Sequence, residues 1–244
     1  MELATFGAES GIPLDADTTL EIMGHMLGFW VVSADERDLD ELRTSTQDLF
    51  QLTLAVFALI RLDRGAARST LRLRARLRFW VEAREVEARA NVLGSVRELG
   101  DVAEIDGPLA SDFAIAAQAA WALLGCPSLR VAFKDYGISL QERGDDAFLY
   151  SYRAIENTRR FFAPDIERTT KSGKATTATV WGPMHAALRT SEAMLEPLTS
   201  AATAIRHGNA QSPQLARARG DRERTLSVAD QALRALLDHQ GITW

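Results

Sequence analysis

The sequence predicts a mainly α protein with a small β component, and three observations predict it. Apolar residues recur at helical spacing through most of the chain, as at Leu42, Leu49, Leu52 and Val56. One stretch, residues 71–92, switches to a period of two. The chain has 244 residues, 46% hydrophobic and 25% charged, enough to bury a core without disulfides or metals.

Taken in order, residues 1–20 are weakly patterned, and Ile22 to Val32 is an apolar run that fits a strand or a short helix. Ser33-Ala34-Asp35-Glu36 has the form of a capping box, in which the hydroxyl and the carboxylate each take an orphan N–H. The helix it opens is expected to reach about Leu62. Leu71, Leu73, Ala75, Leu77, Phe79 and Val81 then alternate with Arg72, Arg74, Arg76 and Arg78. The phase flips near Ala83–Arg84, so a hairpin is expected near 70–92, its arginine face meeting Glu85 and Glu87 across the strands. The rival is a helix, because Glu, Ala and Arg favour helices intrinsically.

From Ser111 onward the spacing is helical. Asp112 or Ser111 is expected to cap a helix ending at Gly125, and a short segment follows over Leu129–Tyr136. Ala147–Phe162 is a strong amphipathic pattern stopped by Pro164. Residues 165–179 are expected as a mobile Thr/Lys/Gly loop. Trp181–His207 is expected as one helix with Pro183 in its first turn, a kink or division at Pro197 and Gly208 as its C-terminal stop. Residues 209–224 are expected as a polar loop, and Thr225–Gln240 as the final helix. The expected organisation is an N-terminal α+β region over 1–110 and a helical bundle over 111–244, with the boundary somewhere within 107–144.

The formal net charge of −5 argues against bulk attraction to nucleic acid or anionic membrane, while leaving local basic patches open. Cys126 is the only cysteine, so neither an intramolecular disulfide nor a cysteine-built zinc site is expected. Met1 is followed by Glu2 rather than by a basic and then apolar leader. The uncharged run Phe113–Leu129 is too short and too weakly apolar to span a bilayer. A cytoplasmic protein without a membrane partner is therefore expected.

Several motifs fail on inspection. Ser172-Gly173-Lys174 lacks the glycine a phosphate loop needs at Arg168 and the hydroxyl it needs at Ala175. His25, His185, His207 and His239 are not at ligand spacing, so no metal and no cofactor are expected. His185 reads as a hydrogen-bonded, partly buried residue. The arginine row at 72–78 suits a solvated strand face better than a nucleic-acid grip, because Trp80 is the only aromatic on the same face of the strand. Trp121 and Trp181 could line a small-molecule pocket, although aromatics at helical spacing are more often core.

One constellation carries chemistry. The helix at 147–162 bears Tyr150, Tyr152, Arg153, Glu156, Arg159 and Arg160, and the helix expected at 181–207 ends in Arg206-His207-Gly208. Antiparallel packing would bring Tyr150, Arg153 or Glu156 near Arg206 and His207. A histidine can move a proton near neutral pH, a guanidinium can neutralise charge on a phosphate, and Glu156 could orient the imidazole. Capping and helix-surface ion pairs explain the same residues without any chemistry.

Tyr150-Ser151-Tyr152-Arg153-Ala154-Ile155-Glu156, the helices that follow and Ile205-Arg206-His207-Gly208 resemble the HEPN superfamily (higher-eukaryote and prokaryote nucleotide-binding) over at most residues 112–244. The resemblance implies a helical bundle, often dimeric, and RNA binding or metal-independent endoribonuclease activity in bacterial stress, toxin–antitoxin or antiviral defence. It implies His207, Arg206 and Glu156 as catalytic residues and Arg153, Tyr150 and Arg160 as RNA-binding ones. Its partners would be RNA, an antitoxin or defence-complex protein, and a second copy of the chain. The family's catalytic pattern sets an arginine several residues before the histidine. Ser200, Ala201 and Ala202 stand there, and Arg206 is adjacent instead. The alternative is a non-catalytic helical interaction or scaffold module.

Overall fold

The computed structural model describes residues 10–13, 18–23, 26–31, 39–66, 68, 77–81, 90–94, 107–169 and 175–242. These residues are mostly helical and fall into two compact units, one ending at Gly125 and one running from Cys126.

In the first unit, α1 (Leu39–Asp63) packs against α2 (Gly107–Leu124). Every residue from Leu52 to Ile60 is buried, the mark of a helix apolar on all faces. Phe57 meets Phe113 of α2 with ring centroids 5.7 Å apart. α2 begins before Ser111, with Pro108 in its first turn, where no amide hydrogen is needed. Asp112 is consequently not a cap. It is fully buried inside α2, and Arg61 donates to it at 3.2 Å. Arg64 lies 2.7 Å from its other oxygen, near enough for an ion pair although not aligned as a hydrogen bond. A tertiary ion pair thus takes the carboxylate that local preference would put at the helix start. Backbone contacts group α2 with α1, and the division between the units falls after Gly125.

Short antiparallel pairings also occur in this unit. β1 (Ser10–Pro13), β2 (Thr18–Met23) and β3 (Met26–Val31) run in sequence order, and β4 (Leu77–Val81) pairs with β5 (Ala90–Gly94). The register sets Arg78 opposite Leu93, not opposite Glu85 or Glu87. Those two glutamates, Arg72, Arg74, Arg76 and the Ser33–Glu36 box lie outside the described residues.

In the second unit, α4 (Asp146–Phe162) is the central element. It packs against α3 (Pro127–Gln141), α5 (Gly182–Leu188), α6 (Glu192–Arg206) and α8 (Arg222–His239), while α7 (Pro213–Gly220) packs on α6 and α8. Phe133, Phe148, Ile155, Met184, Leu198 and Leu233 are at most 1% exposed and form its core. Tyr136 of α3 donates to Asp230 of α8 at 2.8 Å inside that core. At the surface, Arg219 donates to Asp145, and Arg222 donates to the carbonyls of Glu142 and Gly144, so the α7–α8 corner holds the α3–α4 turn.

Four expectations are corrected here. The segment expected over Leu129–Tyr136 is the longer helix α3, opened by Pro127. The 181–207 segment is broken at Arg189, whose φ of 52° is left-handed, and not at Pro197. Ser191 starts α6 afresh, its hydroxyl accepting from the Met194 amide at 3.2 Å. Pro197 is tolerated inside α6 at an exposed position, where water can satisfy the carbonyl that loses its partner. The 209–224 loop contains α7, capped by Ser212, with only Leu215 and Ala218 buried. Two apolar positions in a single short helix are too few to register as a period. The loop expected at 165–179 carries an antiparallel pairing of β6 (Ile166–Thr169) with β7 (Ala175–Ala178). Among the described residues no helix is long and apolar enough to cross a membrane.

Candidate functional site at the end of helix α6

The site is built on two sides of α4. Tyr152 and Glu156 are four apart and share one side, whereas Tyr150, Arg153 and Asn157 share another.

On the α6 side, Arg206 reaches Glu156. Its Nη2 donates to Oε2 at 3.1 Å, and its guanidinium lies 5.0 Å from the Tyr152 ring centroid. The Arg206 side chain stays 43% exposed, so the pair is a solvated one. Burial raises the Tyr152 hydroxyl pKa above its usual value, and the neighbouring Glu156 charge adds to the effect.

His207 is the C-cap of α6. Its backbone N–H donates to the Thr203 carbonyl at 3.1 Å, and its side chain is exposed. Gly208 follows with φ of 65°, and the Asn209 amide donates to the Ala204 carbonyl at 2.8 Å, which closes the helix in a left-handed turn as expected. Among the described residues the His207 ring has no hydrogen-bonded partner. Glu156 is engaged by Arg206 rather than by the imidazole.

On the α3 side, Asp135 is nearly buried. Arg153 Nη2 lies 3.2 Å from one of its oxygens, and Asn157 donates to the other at 3.1 Å. Burial raises the Asp135 pKa, while Arg153 and Asn157 pull it back. The Arg153 guanidinium also covers the Tyr150 ring at 5.3 Å. Arg160 donates to Asn157 at 3.0 Å and lies 3.6 Å from Asp165. Of the six residues singled out in the sequence, the structure brings Glu156 to Arg206 and leaves His207 beside them. It gives Tyr150, Arg153 and Arg160 to an acidic network around Asp135 and Asp165.

A further group joins the site from α5. Trp181, at the start of α5, stacks on His185 one turn later, with centroids 6.0 Å apart and planes inclined by 22°. Tyr152 lies 6.4 Å from Trp181, and the buried guanidinium of Arg159 lies 5.8 Å from the Trp181 ring centroid. His185 Nδ1 is 2.9 Å from the Thr190 hydroxyl, the hydrogen-bonded, half-buried state that its sequence context suggests. The four-residue spacing of Trp181 and His185 was the available signal for this row. The Arg189 break, which sets where α5 lies, was not visible. No group of three or more His, Cys, Asp or Glu among the described residues could hold a metal ion.

Comparison with known families gives one match. Residues 119–236 match the C-terminal domain of DUF8168, a domain of unknown function. The match covers just under half of the chain and runs from within α2 into α8. No curated protein and no solved structure matches the chain.

Proposed function

We propose that the helical part of the chain from α4 to α8 is a HEPN-like RNA-binding module whose RNA-facing end is the C-terminus of α6. The observation that carries this reading is the position of Arg206: half-exposed, spread over Tyr152, held by Glu156 and followed directly by the exposed His207. A guanidinium held there can accept a phosphate without first being ordered. Metal-independent cleavage is the stronger form of the same proposal. The RNA 2′-oxygen would bond to the adjacent phosphorus as the bond to the 5′-oxygen breaks. His207 would remove or deliver the proton, and Arg206 would neutralise the phosphate. The setting that goes with this reading is bacterial stress or defence in the cytoplasm, with an antitoxin or defence-complex partner or a second copy of the chain, and with an α+β region at the N-terminal side.

A second reading is favoured by a specific observation. Arg153, Arg160 and Arg206 each already face a carboxylate, in Asp135, Asp165 and Glu156. Arginines paired in this way suit a helical interaction or scaffold module.

One experiment separates the two. Purified full-length protein is mixed with total tRNA in excess chelator, alongside Arg206→Ala and His207→Ala variants, and both retardation and cleavage are read. Retardation by the wild type that weakens about ten-fold in Arg206→Ala is expected, because a charge-assisted phosphate contact is worth about 1.5 kcal/mol. Cleavage by the wild type that His207→Ala abolishes would establish the catalytic form. Unretarded, intact RNA at low salt would overturn the proposal and leave the interaction module.

A further inference from the structure

Aromatic side chains in this unit differ in exposure. Phe133, Tyr136 and Phe148 vanish into the core at 0% exposure. Tyr152, Trp181 and His185 remain half-exposed and form a continuous row, His185 on Trp181, Trp181 beside Tyr152, Tyr152 under the Arg206 guanidinium. Arg159 is 1% exposed and backs the Trp181 ring from inside. Two acceptors, Asp165 Oδ1 at 2.6 Å and the Ala163 carbonyl at 3.1 Å, hold its Nη1. Its Nε has no hydrogen-bond partner. The platform is therefore held by the buried Arg159 and stays partly exposed, and its outer end is the same arginine that the proposed function offers to a phosphate.

We infer that the row His185–Trp181–Tyr152 is a stacking platform for an unpaired nucleobase whose phosphate is held by Arg206, so that the module takes single-stranded rather than duplex RNA. This deepens the proposed function and rests on it. Rings and guanidinium groups at stacking distance attract the face of any base, a sequence-tolerant interaction. A base inside a duplex already has both faces covered and cannot offer one. The phosphate group by itself would bind a duplex as well, so strand preference reads the platform alone.

The test uses the full chain in chelator and compares three probes with the same number of phosphates: an unstructured RNA strand, a fully paired RNA duplex of half its length and an abasic sugar–phosphate strand. The unstructured strand is expected to bind about ten-fold more tightly than either of the others, the loss expected for one stacked base. Trp181→Leu should bring the strand down to the level of the abasic probe, while Trp181→Phe should keep most of the affinity. Equal binding of the three probes to the wild type would overturn the platform and leave RNA binding intact. No binding of any probe would sink the RNA reading itself. The abasic comparison needs no variant, so an unfolded Trp181→Leu protein does not spare the inference.

Discussion

Two carboxylates in the second unit are shifted in opposite directions from the ordinary carboxylate pKa. Asp135 is raised above its usual 3.8 because burial outweighs the pull of Arg153 and Asn157. The folded state therefore binds the extra proton between 3.8 and that raised value, and stability falls as pH rises through this window. Asp145 is lowered, first by its hydrogen bonds from Arg219 and further by the charges of Arg219 and Arg222. Its contribution is present above 3.8 and is lost as pH falls through the lowered value. Denaturant unfolding across the acid range should show Asp135→Asn losing the downward slope of the wild type above 3.8. Asp145→Asn should be less stable than the wild type at neutral pH and converge with it in acid. An unchanged slope in Asp135→Asn would show that another group governs the window. The Glu156–Arg206 pair belongs to this scale too. Both residue types are visible in the sequence, but side chains 50 positions apart meet only once α4 and α6 have packed.

Among the helices, the most informative feature is the break between α5 and α6. Periodicity alone runs through it, since Met184, Leu188, Leu195 and Leu198 all face inward. The chain nevertheless turns at Arg189 through a left-handed conformation, which costs an ordinary residue about 1 kcal/mol. Arg189→Gly should recover roughly 0.5–1 kcal/mol and raise the melting temperature. An Arg189→Gly protein less stable than the wild type would show that the arginine side chain holds the turn. The ends of α4 and α8, in contrast, lie within a few residues of their expected places, because Pro164 and Gly241 are local stop signals that packing has no reason to override.

For the whole molecule, the grouping of α2 with α1 leaves the residues from Cys126 onward with a core of their own, built from α3 to α8. A fragment starting at Cys126 is expected to fold alone, with helical circular dichroism and a single cooperative thermal transition. A fragment that is helical only in the presence of the preceding residues would remove the division. α7 and the corner it makes with α8 belong to this scale as well. Arg219 and Arg222 hold a turn that lies 74 to 80 positions away in the sequence, and no local pattern announces that.

The sequence by itself determined the helical character, the final helix and the Gly208 stop. Each of these depends on apolar period or on the left-handed backbone that glycine adopts freely. Only the tertiary structure decided that Asp112 is buried under Arg61 and Arg64, that Arg153 turns toward Asp135, and that Tyr152, Trp181 and His185 align near the end of α6. These outcomes are set by which helix faces which, a choice made by burial summed over many side chains and not by any one of them.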